Sequence, residues 1–236
     1  MGEYVRPLTD SEPQDAAVEY QGRKVSRAGS VERREKILHA VLNIIARDGI
    51  RGVKHRAVAK EAGVPLASTT YYFKDINDLM TDAFNFFAEK DAIHTNRFRD
   101  QSFEVLAHFA DKLDNEETLK ELADICLEFA VAHVMEQVSD AELRNRTIEQ
   151  NFQIEASRNE KLRGPYIARY TALKTMMEQF YAAIGSNDPQ ADAQALKAII
   201  LDLEYEALID PVNCRDIEKI RRVLKRHIYN SFKVKW

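Results

Sequence analysis

The stretch Val53-Lys54-His55-Arg56-Ala57-Val58-Ala59-Lys60-Glu61-Ala62-Gly63-Val64-Pro65-Leu66-Ala67-Ser68-Thr69-Thr70-Tyr71-Tyr72-Phe73 decides the fold. Val58, Ala59 and Ala62 recur at helical spacing, so a short helix ends at Gly63, whose missing Cβ suits a left-handed turn. Val64 begins a hydrophobic return, and Pro65 stands in the first turn of a new helix, where a proline is tolerated. That second helix buries Thr69 and Phe73, four residues apart, and leaves Leu66, Ala67, Ser68, Thr70 and Tyr71 outside. Two short helices joined by a glycine turn form a helix-turn-helix, a unit that lays its second helix in the DNA major groove. Small hydroxyls, aromatic hydroxyls and flanking cations suit that face. The glycine turn alone fits an ordinary helical hairpin equally well, so the decision rests on its surroundings.

On the N-terminal side, Ser30 offers an N-cap, with Glu32 and Glu35 near the positive end of the helix that follows. Ile37, Leu38, Val41, Ile44 and Ile45 make one apolar stripe. The helix ends in Ala46-Arg47-Asp48-Gly49, and Ile50 and Val53 carry core contacts into the motif. Charge divides along the chain. Residues 21–74 hold twelve basic and four acidic side chains, whereas residues 1–20 hold one and five, and residues 75–236 hold twenty-one and twenty-nine. A basic block around a helix-turn-helix is the electrostatic footprint of phosphate binding. The acidic remainder should avoid DNA.

With the first helix ending in Arg47-Asp48-Gly49, then Ile50 to Phe73, then Lys74-Asp75-Ile76-Asn77-Asp78-Leu79, residues 31–80 resemble the DNA-binding domain of the TetR (tetracycline repressor) family of bacterial regulators. Ala59, Ala62, Gly63, Val64 and Phe73 match that family's packing positions. The resemblance implies phosphate contacts at Tyr72 and Lys74 and places Ser68 near the DNA. It departs at Lys54, where a Ser or Thr cap is usual, at Pro65, where Ser is common, and at Thr70, where Tyr is frequent. The expected DNA-facing set is therefore Lys54, His55, Arg56, Pro65, Leu66, Ala67, Ser68, Thr70, Tyr71, Tyr72 and Lys74. The resemblance also implies an all-α fold, in which a three-helix DNA-binding domain precedes a larger helical domain that binds a ligand and dimerises. The expected divisions are a flexible arm over residues 1–29, the DNA-binding domain over 30–76 and the helical domain over 77–236.

The arm contains Pro7, Pro13, Gly22 and Gly29 and ends in the basic run Arg23-Lys24-Val25-Ser26-Arg27, which can reach a minor groove or serve only as a solubilising tail. Beyond the motif, a long helix is expected from Ile76 to about Phe98, and further helices over Glu116–Glu136, Ala141–Ser157, Leu162–Ile184, Gln190–Ile209 and Asp216–Phe232. The polar helix after Ser139 faces an aromatic one, which makes a pocket with orienting groups, the usual form of a small-molecule site. Phe129, His133, Gln150, Tyr166, Tyr170 and Met177 are its candidate lining. A histidine on an apolar stripe is more often a hydrogen-bonded core residue than a ligand contact. Cys126 lies seven residues before His133, about 10 Å along a helix, which is too far for a nucleophilic pair. The last two helices resemble the family's dimer interface, with Ile199, Leu203, Leu224 and Ile228 expected between subunits.

Two cysteines give neither a disulfide framework nor metal spacing, so a reducing cytoplasm is expected. No apolar run is long enough to span a membrane. An enzymatic reading lacks a glycine-rich phosphate loop, metal spacing or a Ser/His/Asp order, and no cofactor is expected. The expected partners are a double-stranded DNA operator, a small-molecule effector and a second copy of the chain. The expected function is a DNA-binding transcriptional regulator, a repressor released from a palindromic operator by its ligand. The alternative is a DNA-bound regulator of the same fold that recruits a protein and binds no small molecule.

Overall fold

The computed structural model describes residues 20–24, 26–109, 112, 113, 115–212 and 214–235. Among them the chain forms nine α-helices and no strand. These are α1 (Ala28–Asp48), α2 (His55–Glu61), α3 (Leu66–Tyr72), α4 (Ile76–Phe109), α5 (Glu116–Gln137), α6 (Asp140–Ala156), α7 (Glu160–Ala183), α8 (Pro189–Ile209) and α9 (Ile217–Ser231).

Side-chain caps set several of the starts. Asn115 accepts from the Glu117 N–H, Asn159 from Lys161, Asp188 from Ala191 and Asp216 from Glu218. Ser30 does not act as a cap. The helix begins earlier, at Ala28, and the Ser30 N–H bonds the Arg27 carbonyl at 2.8 Å. The fourth helix runs well past Phe98 to Phe109, about 50 Å in all. Residues 97–109 hold neither Gly nor Pro, and Phe103, Leu106 and Phe109 turn a second apolar face into the C-terminal core.

Two hydrophobic cores result. In the first, Ile37, Leu38, Val41, Ile44 and Ile45 of α1 meet Val58, Phe73, Leu79 and Phe84. This core does not close at residue 76: Phe86 and Phe87 of α4, Ile148 and Phe152 of α6 and Leu162 of α7 complete it. Phe152 lies edge-on to Phe84, with ring centroids 5.3 Å apart. The second core gathers the end of α4 with α5, α8, α9 and the C-terminal half of α7. None of the helices in the described residues is long and apolar enough to cross a membrane.

Candidate functional site

The turn between α2 and α3 is fixed by its backbone. Gly63 has φ +63°, its N–H bonds the Lys60 carbonyl, and the Val64 N–H reaches back to the Ala59 carbonyl at 3.0 Å. Those two bonds satisfy carbonyls that the end of α2 leaves free, and the left-handed residue between them favours glycine. On α3, Thr69 is fully buried and its hydroxyl donates to the Leu66 carbonyl at 2.8 Å. Leu66 is 44% exposed and Tyr71 53% exposed, and Ala67 and Thr70 are exposed beside them. Pro65, Lys54, Arg56 and Lys74 are also exposed, while His55 and Ser68 are half-buried. An ammonium cannot accept a hydrogen bond, so Lys54 leaves α2 without a side-chain cap.

Tyr72 departs from its expected role at the phosphates. It is only 3% exposed and packs in the first core with Phe73 and Val58. Three residues after Thr69, it falls on the same inward side of α3. A segment of the expected arm also covers it: the Arg23 N–H donates to the Tyr72 carbonyl at 2.8 Å.

That segment is ordered by one carboxylate. Asp82 on α4 is fully buried and accepts from the Gln21 N–H at 2.6 Å, the Gly22 N–H at 2.9 Å and Arg34 Nη2 at 2.7 Å. A Cβ on Gly22 would meet Asp82 Oδ2 at 2.7 Å and Phe73 at 2.9 Å, so only glycine fits. The Arg34 guanidinium lies over the Tyr20 ring, 4.1 Å from its centroid, and Arg23 lies over Tyr71 at 4.4 Å. A cation of the arm is thereby seated on the exposed aromatic of α3. The rest of the expected arm, residues 1–19 and Val25, lies outside the described residues.

A cavity of about 490 Å³ opens between α4, α5, α6, α7 and α8, within the usual size of a small-molecule site. Its polar end is a network of two guanidiniums and three carboxylates. Arg169 Nη2 lies 2.5 Å from Asp91 Oδ2 and 3.5 Å from Glu149, and Arg146 lies 2.6 Å from Glu149, 3.4 Å from Glu204 and 3.5 Å from Asp91. Burial works against the Asp91 carboxylate, but Arg169 and Arg146 outweigh it and hold its pKa below the usual range. Glu204 has a single, longer guanidinium contact, and burial pushes it up to about 7. The other end is apolar, with Phe103 edge-on to Phe180 at 6.0 Å and Phe98, Phe129 and Met177 around them.

Of the expected lining residues, Phe129, His133, Tyr166, Tyr170 and Met177 do face this cavity. Gln150 does not: Glu149 and Gln153, four apart on α6, take the inward positions instead. His133 stacks beside Phe98 at 4.9 Å, and burial lowers its pKa to about 4, so it is a neutral imidazole at physiological pH. Cys126 is also in the wall, its thiol pushed up to about 12 by burial and hence unreactive. Asp91, Glu149, Arg169, Lys197 and Glu204 were not among the expected lining. The expected dimer residues need a larger correction. Leu203, Leu224 and Ile228 are buried in the chain's own second core, where α5 and α7 cover them, and cannot meet a partner. Ile199 is only partly buried and borders a surface groove with Val223, Arg222, Arg226 and Asn230.

The chain matches no family model. The HTH-type transcriptional regulator PksA of Bacillus subtilis (strain 168) is 26% identical over 204 residues, which span 84% of this chain and 88% of that protein. Among solved structures, the multidrug binding protein EbrR complexed with ethidium is 28% identical, with a TM-score of 0.55 over 83% of this chain and 98% of that one. A member of the TetR family from Streptomyces coelicolor A3 is 25% identical, with a TM-score of 0.53 over 83% and 98% of the two chains. The fold and the exposed second helix of the motif are those of a helix-turn-helix unit, and the relative PksA that shares most of the chain is a regulator of transcription. The solved structures that share this fold include a TetR-family member, in agreement with the resemblance of residues 31–80.

Proposed function

We propose that the chain is a dimeric repressor, released from a palindromic operator when a small organic molecule enters the cavity. The observation that carries this reading is the double use of α4 and α6. Helix α4 sends Phe84, Phe86 and Phe87 into the first core and Asp91 and Phe98 to the cavity wall. Helix α6 sends Ile148 and Phe152 into the same core and Arg146, Glu149 and Gln153 to the wall. Packed interiors transmit small displacements rather than absorb them. A ligand that prefers one arrangement of these helices therefore biases how α3 is held, and DNA affinity changes through linkage.

On DNA, Leu66, Ala67, Thr70 and Tyr71 would face base edges, with Lys54, Arg56, Lys74 and Arg23 at the phosphates. The dimer would form on the outer faces of α8 and α9, around Ile199 and Val223. The ethidium complex of EbrR supports an organic effector for this chain as well. Duplexes selected from a random pool should share an inverted repeat, bound by two chains, with half-sites about one helical turn apart or slightly more. Recovery of a lone half-site, tightly bound by a chain that light scattering finds monomeric, would overturn the reading.

A further inference from the structure

Asp91, Glu149 and Glu204 each already have a guanidinium within 4.0 Å, so this buried network has no free anion to offer a ligand; Glu136, which also borders the cavity, is exposed. Lys197 is the exception of opposite sign. It projects from α8 into the same wall, half-buried, and no carboxylate lies within ion-pair distance of it among the described residues. Its Nζ sits over the Tyr170 ring, 3.2 Å from the centroid. The Tyr170 face, next to the charged network, is thus occupied by the protein's own ammonium. Arg146 adds to the excess of donors, since its buried Nε has no acceptor among the described residues.

The surroundings define the rest of the ligand. From Tyr170, one face of α7 continues through Leu173 and Met177 to Phe180, about 15 Å along the helix and apolar throughout. Leu196 and Ile200 of α8 flank Lys197 in the same wall. We propose that the effector is an amphipathic anion, a carboxylate on an unbranched or flat apolar body, with its head on Lys197 and its body along Leu173, Met177 and Phe180. This rests on the reading of the cavity as the effector site. Burial, with Arg169 and Lys174 nearby, outweighs Glu149 and lowers the Lys197 pKa to about 8, so it is mainly charged at pH 7 and gains from a ligand that brings the direct ion-pair partner it lacks.

Three probes that share one chain separate the alternatives: sodium decanoate below its micelle-forming concentration, decan-1-ol and decyltrimethylammonium chloride. Calorimetry on the full chain should give decanoate at least tenfold tighter binding than the alcohol, and weaker or no binding of the cation. Lys197→Met should bring decanoate down to the affinity of the alcohol, while Lys197→Arg should keep the preference for the anion and control for folding. Tightest binding of the cation, binding of none of the three, or unchanged decanoate affinity in the folded Lys197→Met protein overturns the proposal. Operator binding measured alongside keeps the two readings apart. Release of operator by the alcohol or the cation would leave the effector site standing without the anion. Decanoate held through Lys197 with no effect on operator affinity would leave the anion site standing without the signal.

Discussion

Two regions of this chain use arginine and lysine in opposite ways. Around α2 and α3, Arg51, Lys54, Arg56, Lys60 and Lys74 are exposed, and none has an ion-pair partner among the described residues. In the cavity wall, Arg146 and Arg169 are largely buried and share three carboxylates. Exposed charge costs the fold almost nothing and stays available to a polyanion. Buried charge must be matched internally, and once matched it is no longer available to a ligand. Lys197 follows the surface rule in the cavity wall: it makes no direct ion pair among the described residues, although Glu149 acts on it from a distance.

The largest expected effect tests that contrast directly. Arg146→Met would leave Asp91, Glu149 and Glu204 short of a counter-charge and should cost about 3–5 kcal/mol in denaturant unfolding. Arg56→Met is the same chemical change at the exposed end and should stay within about 0.5 kcal/mol of wild type while weakening DNA binding. Equal losses of stability for both would remove the distinction.

Next comes Tyr71, exposed on α3 and stacked by Arg23. Tyr71→Ala should alter base preference by roughly 1–3 kcal/mol at one position of each half-site, read by competition between operator variants. An equal loss on operator and random DNA would reassign Tyr71 to backbone contact.

A pH series probes the buried end. The folded-state pKa of Glu204 is raised to about 7 from 4.5, so its protonated form is the one the fold prefers. Its contribution is present below pH 4.5 and is lost as pH rises through 7. His133 runs the other way. Its folded-state pKa falls from 6.5 to about 4, so its contribution is present above 6.5 and is lost as pH falls through 4. Glu204→Gln should remove the opposing slope and leave that of the histidines, His133 with His39 and His227, whose pKa values burial also lowers, so urea midpoints should rise with pH between those values more steeply than in wild type. A slope identical to wild type would show that Glu204 does not titrate there.

The smallest effects concern the phosphates. Lys74→Ala should weaken binding to all sequences alike and lower the salt slope by about one unit. Tyr72→Phe should change DNA affinity by less than about 0.5 kcal/mol, because the ring is buried in the first core. A Tyr72→Phe loss as large as that of Lys74→Ala would restore the phosphate role.

How far the sequence could be read follows from where each signal resides. The α2–α3 unit was legible because helix period, glycine turn and inward Thr69 and Phe73 all fall within twenty-one residues. The cavity network was not, because Asp91, Arg146, Arg169 and Glu204 come from four helices and carry no local pattern that pairs them. Polarity alone marked α6, yet its polar side chains serve different places. Arg146 enters the cavity, while Arg144 donates to Asn43 of α1 at 2.6 Å. The stripes of α8 and α9 announced burial without saying by what. Leu203 and Leu224 are covered by their own chain, so apolar spacing could not distinguish a core from an interface.

The way α6 completes the first core also limits modular use of this chain. Ile148 and Phe152 close the packing beneath α1 and against Phe84 and Phe87 of α4, so residues 30–76 are not a severable cassette. A chimera that transplants those residues alone would join α1 to a foreign floor shaped for other side chains. Retargeting to a new operator is better done by rewriting Leu66, Ala67, Thr70 and Tyr71 in place, since those side chains point away from the shared floor.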